Sequence, residues 1–195
     1  MIKEAGINFP KLADESFDDM LGDSTGAAAI FGATGGVMEA ALRTVADVLT
    51  GKDLQEIEYH DVRGLTGVKD ATVKIGDIEV RVAVAHSTGK ATELLEKIKK
   101  GEAPQYTFIE VMGCPGGCVN GGGQPIVSST VRAECNVPAL RAAAIYDEDR
   151  NMPLRKSHDN PSIKKLYADF LGEPNGHLAH ELLHTTYVDR SDIHV

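Results

Sequence analysis

No apolar run in this sequence approaches the roughly 20 residues that cross a bilayer. The opening Met-Ile-Lys-Glu-Ala-Gly-Ile also lacks the apolar core of an export signal. The chain is therefore expected to work without a membrane, in the cytoplasm. Basic residues are outnumbered: 20 Lys and Arg against 29 Asp and Glu leave a formal charge of -9. Phosphate contacts need clustered Lys and Arg, so the balance argues against a nucleic-acid partner and for small molecules, proteins or a cofactor. Cysteine is scarce and odd in number. Cys114, Cys118 and Cys135 are the three, and such a set does not make a disulfide framework. Reduced thiols are the better reading, with Cys114 and Cys118 as candidate metal ligands and Cys135 a spare. The rest is ordinary for a globular protein: 195 residues, 42% hydrophobic, are enough for one domain or one and a half with a real core.

The first 24 residues are acidic and weakly periodic, with Asp14, Glu15, Asp18, Asp19 and Asp23, and read as a surface connection. Small residues and glycines from Ser24 to Gly36 open a helix. Over Gly36 to Leu49, Val37, Ala41, Val45, Val48 and Leu49 fall at helical spacing, Gly51 is a natural terminator, and Glu39 and Arg43 are placed to pair on the exposed side. Period-two patterning then predicts strands at Ile57–Val62, Ala71–Ile75 and Ile78–Ala85, the last two joined through Gly76-Asp77. Thr92–Lys100 reads as an amphipathic helix ending at Gly101. Tyr106–Met112 reads as a strand that delivers a site at its C-terminal end, where α/β sheets keep their sites. Helices follow at Pro138–Asp149 and at Ile163–Leu171, the latter with Ile163, Leu166, Tyr167 and Phe170 on one face. A further helix is expected between His177 and Tyr187.

The sharpest chemical signal is Cys114-Pro-Gly-Gly-Cys118 followed by Val-Asn-Gly-Gly-Gly. Two thiolates four residues apart on a glycine-rich loop can face one metal centre, and glycine lets backbone amides approach an anionic sulfide cluster. Iron–sulfur clusters usually take four cysteine thiolates, and this loop offers two. A turn with incidental cysteines is the bland alternative. A zinc centre is another; it needs two more ligands, for which His177, His180 and His184 are candidates, and no second cysteine pair exists. Capping and packing are the commoner roles for those histidines. Gly32-x-x-Gly35-Gly36 before a helix lacks the ending of a phosphate-binding loop and is set aside.

Glu110-Val-Met-Gly-Cys-Pro-Gly-Gly-Cys-Val-Asn-Gly-Gly-Gly-Gln-Pro125 resembles the third signature of FeFe-hydrogenases. Phe31-Gly-Ala-Thr-Gly-Gly-Val-Met-Glu-Ala-Ala41 resembles a glycine segment that family members carry upstream of it. Arg155-Lys-Ser-His158 and His180-Glu-Leu-Leu-His184 resemble the family's small-subunit segment, which is fused in cytoplasmic monomers and separate in periplasmic forms. The resemblance covers essentially the whole chain. It implies residues 1–135 as the C-terminal portion of the domain that holds the H-cluster and 136–195 as a small-subunit-like helical segment. It also implies an α/β fold: one lobe of a two-lobed domain, with a largely parallel sheet flanked by helices and a helical C-terminal tail that wraps a partner lobe.

The cofactor so implied is the H-cluster, a 4Fe–4S cubane joined through one cysteine to a diiron unit carrying CO, CN⁻ and a dithiolate. By position, Cys114 ligates the cubane and Cys118 bridges cubane and diiron unit. Gly116 and Gly117 lie against the cofactor, Met112 packs beside the diiron unit, and Phe31 and Gly32 wall its pocket. The implied reaction is 2H⁺ + 2e⁻ ⇌ H₂, with ferredoxin or a nicotinamide-linked subunit as electron partner. Arg155, Lys156 and His158 are expected to hold the tail against the rest of the enzyme. The family's other two cysteine signatures, Thr-Ser-Cys-Cys-Pro and Met-Pro-Cys-x-x-Lys, do not occur in the sequence, nor do ferredoxin-like C-x2-C arrays. With two of the four cluster cysteines, the isolated chain is expected to hold no intact cluster and to be inactive, completing a larger N-terminal part. The alternative from another class is a relative that assembles or senses iron–sulfur clusters without a diiron unit, or a non-catalytic fragment that completes another subunit.

Overall fold

The computed structural model describes residues 1–16, 22–53, 58–64 and 67–189. Alternating Val and charged residues fold as the period-two pattern demands: β1 (Val68–Ile75) and β2 (Ile78–His86) form an antiparallel hairpin in which Ile75 faces Ile78 across Gly76-Asp77. Gly76 takes φ +58°, the left-handed geometry a two-residue hairpin turn requires. The chain then crosses over through α3 (Thr88–Lys100), capped by the Ser87 side chain and closed at Gly101, and returns as β3 (Phe108–Met112) parallel to β2. A mixed three-stranded sheet β1-β2-β3 results among the described residues.

This settles the fold as α/β, and the sheet among the described residues is mixed. One of its two pairings is antiparallel, because a two-residue turn can join strands only that way. The expected strand at Ile57–Val62 is not formed over its described part, where His60–Val62 is a 3-10 turn; Ile57 lies outside the described residues. That turn places Val62 in the core.

Helix α2 (Gly36–Thr50) packs Met38, Leu42 and Ala46 against Val73, Ile75, Val80, Val82, Val84 and Val62. Burying each of the larger side chains stabilises by about 1.5–3 kcal/mol. The expected stripe is turned outward: Val45, Val48 and Leu49 are exposed, while Glu39 and Arg43 are fully buried. The helix is apolar on two sides, and buried ion pairs decide which side faces in. On the other face of β2, Ala83 and Ala85 are buried, and α3, which contacts β2, buries Ala91 and Leu94. The sheet is thus covered on both sides.

A second core lies under the cysteine loop. The single turn α1 (Gly26–Ala29) leads into a 3-10 turn at Ile30–Gly32. There Ile30 and Ala33 pack against Val119 and against Ala142 and Tyr146 of a long helix, Val137–Asn151. With α4 (Ser129–Glu134) before it, that helix is α5. Beyond it, α6 (Pro161–Leu166) passes into a π-helical turn, Tyr167–Leu171, closed by Gly172 N–H donating to the Tyr167 carbonyl. The wider turn shifts the register, so Leu171 is buried and Phe170 exposed, the reverse of the α-helical expectation for that position. Helix α7 (His177–Leu183) is shorter than the 177–187 span. Residues 1–16 are exposed throughout, as a surface connection requires; Asp18 and Asp19 lie outside the described residues.

Candidate functional site

Strand β3 ends at Met112 and releases the chain into the cysteine loop. Its last residue is fixed by Ser87 N–H donating to the Met112 carbonyl at 2.8 Å. The loop turns at once: Gly117 N–H reaches the Cys114 carbonyl at 3.0 Å, and Cys118–Asn120 forms a 3-10 turn. Gly116 and Gly117 both have positive φ, +83° and +93°, which side chains disfavour. A Cβ on Gly117 would lie 2.7 Å from the Gly32 carbonyl oxygen and 2.8 Å from the Thr34 nitrogen. Here glycine serves close backbone approach. Thr34 N–H completes the dock by donating to the Gly116 carbonyl at 3.1 Å.

The segment carrying Phe31 and Gly32 and the loop carrying Gly116 and Gly117 are therefore brought together. Cys114 and Cys118 are free and exposed. Phe31 is 45% exposed, and Met112 is partly buried beside them in sequence. Buried Val119 roots the loop immediately after Cys118. Gly122 and Gly123 have open space where a Cβ would be.

Three side chains that the sequence reading did not single out hold the loop. Arg141 on α5 donates to the carbonyls of Val119 (3.1 Å) and Pro125 (2.9 Å), bracketing the glycine run. Gln124 Nε2 donates to the Cys118 carbonyl at 2.9 Å, and Asn120 Nδ2 to the Pro115 carbonyl at 3.1 Å. Beside them an open cleft of about 770 Å³ is lined by the glycine run, α4, Cys135, Arg132 and Arg141. Cys135 is thus near the loop but outside the C-x3-C pair.

Behind the site lies a buried ion network. Arg43 bonds Asp149 through both nitrogens (2.7 and 2.9 Å) and Glu39 at 2.9 Å. Arg63 bonds both oxygens of Glu39 (2.8 and 2.7 Å) and stacks its guanidinium 4.2 Å above the Tyr146 ring. Arg155 joins Asp149 at 2.6 Å to Glu58 at 3.1 Å. Three cations meet three carboxylates, so the desolvated charge is balanced. Burial alone pushes the Asp149 carboxyl up, but the Arg43 and Arg155 guanidiniums reverse this and hold it below the usual carboxylate value. The expected Glu39–Arg43 pair exists, but inside the protein rather than on its surface. Position in a helix shows that two residues can pair, not which side of the helix is wet.

The same network fastens the C-terminal segment to α2. Lys156 reaches Asp47 (2.6 Å) and Asp53 (2.5 Å), and His158 lies between Thr44 Oγ1 (3.0 Å) and Asp47 (3.1 Å). By contrast, His177, His180 and His184 build no metal site. They offer one long contact to Glu181 and an edge-on His180–His184 pair, and no cluster of three metal-ligating groups is present among the described residues. No helix of the described residues is long and apolar enough to cross a membrane.

Residues 1–122 match the family described as iron-only hydrogenase large subunit, C-terminal domain, and residues 136–190 match iron hydrogenase small subunit. The chain is 50% identical over 190 residues to an NADP-reducing hydrogenase subunit of Solidesulfovibrio fructosivorans and 46% identical over 189 residues to iron hydrogenase 1 of Clostridium pasteurianum. Those alignments take in 97% and 96% of this chain, and it spans about a third (32%) of each relative's length. A solved FeFe-hydrogenase from Chlamydomonas reinhardtii superposes with TM-score 0.66 at 40% identity, over 96% of this chain and 52% of that one. A more distant relative, cytosolic iron-sulfur assembly component 3 of Mus musculus, is 32% identical over 80% of this chain and 31% of its own length.

Proposed function

Because this chain belongs to the iron-only hydrogenase family, we propose that it supplies half of the catalytic centre of a hydrogen-forming and hydrogen-oxidising enzyme. The observation that carries the reading is the dock of the Cys114–Cys118 loop on the Gly32–Thr34 backbone, made through Gly117 and the Thr34–Gly116 hydrogen bond. That dock joins the two segments that would wall a cofactor, and it leaves both thiols exposed and unpaired.

The donor set fits half of an H-cluster. Cys114 would ligate the cubane, and Cys118 would bridge it to the diiron unit. A cubane takes four thiolates, so the other ligands come from outside these 195 residues. Bound there, the cofactor would supply electron transfer and the interconversion of protons and hydrogen. The protein's own groups do the rest. Gly116 and Gly117 keep the loop backbone bare of side chains where it meets Gly32. Met112 and Phe31 give the pocket a soft apolar wall that excludes water. Arg141 and Gln124 hold the loop's carbonyls, so the two thiols keep a fixed spacing. Residues 1–135 form the cluster-bearing portion and 136–195 the small-subunit-like segment. Their fusion supports a cytoplasmic enzyme whose electrons come from ferredoxin or a nicotinamide-linked subunit.

The second reading, a cluster-assembly protein without a diiron unit, has the mouse relative in its favour. Met112 and the intact glycine loop favour the hydrogenase. Infrared spectroscopy of the protein assembled with its completing part separates the two, since carbonyl and cyanide bands belong to the diiron unit alone. The hydrogenase reading requires those bands, and their loss in Cys118→Ala. A four-iron cluster with no such bands favours the assembly reading. The isolated chain should not retain four irons after anaerobic reconstitution.

A further inference from the structure

The cysteine loop and the Phe31–Gly36 segment are joined a second time, by a group that the cofactor does not need as a ligand. Glu110 lies on β3 opposite Val84 of β2, whose side chain is in the core against α2. Partners in register on neighbouring parallel strands share a face, so Glu110 also points at α2. Its side chain reaches the N-terminus of that helix: Oε1 accepts Gly35 N–H at 2.8 Å and Oε2 accepts Met38 N–H at 2.7 Å. Those are amides the helix cannot satisfy internally, and the carboxylate also meets the positive end of its dipole. Glu110 is 6% exposed. Burial pushes its carboxyl up while the Gly35 and Met38 amides oppose that. The backbone around the contact has no slack: a Cβ on Gly35 would lie 2.2 Å from the Val62 carbonyl oxygen, and one on Gly36 1.7 Å from that of Ile30.

We infer that Glu110 is a positioning residue of the proposed site: one carboxylate, two residues before Met112 and four before Cys114, sets the Phe31–Gly36 wall against the cysteine loop. The inference rests on the cluster reading above. A helix cap from within α2 would satisfy the same amides but would add nothing to the hold that the Thr34–Gly116 bond gives between the two walls. Placing the cap on β3 converts helix capping into a fixed distance across the pocket.

The test compares wild type, Glu110→Gln and Glu110→Asp in the cluster-loaded enzyme at equal iron content. In Glu110→Gln the amide nitrogen faces an N–H, so one of the two bonds is lost. Hydrogen exchange at Gly35 and Met38 should rise on the order of tenfold, and the carbonyl and cyanide bands should shift or split. Glu110→Asp retracts the carboxylate by about 1.5 Å, one carbon–carbon bond, which takes it out of reach of both amides, and should give a change of the same kind at both; it decides the matter if the Gln variant does not fold. Shifted bands at unchanged iron content separate positioning from mere stability. Bands and exchange unmoved in both variants overturn the role of Glu110 alone. Wild-type enzyme without such bands overturns the cluster reading, and this inference with it.

Discussion

Replacing Asp149 with Asn tests whether the buried ion network holds the C-terminal segment to α2. Asp149 is 0% exposed and accepts two bonds from Arg43 and a short one from Arg155. Asn keeps the shape and one acceptor but turns an N–H₂ toward a guanidinium. Removing one partner of a buried pair costs about 3–5 kcal/mol. Arg43 keeps Glu39 and the Arg155 carbonyl, so about 3 kcal/mol is expected. For a chain of this size that lowers Tm by roughly 6–12 °C at pH 7. The pH dependence has a definite sign. The folded carboxyl is held below its ordinary value. Its stabilisation is therefore complete above the unfolded pKa of about 4 and is lost as pH falls through the lower folded value. The gap between wild type and variant should close in that acid range. Thermal melts from pH 7 to pH 2, followed by circular dichroism, check both. A Tm within about 2 °C of wild type at pH 7, or a gap that persists unchanged into acid, refutes the argument.

Two further substitutions address the loop. Gly117→Ala places a Cβ against Gly32 and Thr34 at a φ of +93°. It should cost more than about 1 kcal/mol in stability and undo the Thr34–Gly116 bond, seen as faster exchange of the Thr34 amide; Gly122→Ala, at an open position, should change neither. Arg141→Lys loses the fork that spans two carbonyls while keeping the charge. It should leave the melting temperature within a few degrees yet increase alkylation rates at Cys118, measured by mass spectrometry; unchanged alkylation would show that the bracket does not restrain the loop.

The site was more legible in the sequence than the fold around it. Cys114, Cys118 and the glycines between them sit on one continuous loop, so spacing marked the two thiols as candidate metal ligands, while the proposed cluster role and the tie to Gly32 came from the resemblance of separated segments. The hairpin and the helix ends at Gly51 and Gly101 were also legible, because turn geometry and capping are local. What failed were questions of which face is buried. Glu39 and Arg43 read as a surface pair because helical spacing carries no information about partners a hundred residues away, and Asp149 and Arg155 are such partners. Phe170 and Leu171 exchanged places because a π turn moves the register by a fraction of a turn that no residue pattern announced.

The sequence by itself marked Cys114 and Cys118 as the candidate ligands, and determined the turns around them and the family to which the chain belongs. The tertiary structure alone decided that Glu110 caps a helix it is not part of, that Arg141 brackets the glycine run, and that Glu39, Arg43 and Asp149 lie in the interior. Ligand spacing and turn chemistry are short-range properties of the covalent chain. A buried charge is tolerated only where distant segments deliver its counter-charge, and that meeting exists only once the chain has folded.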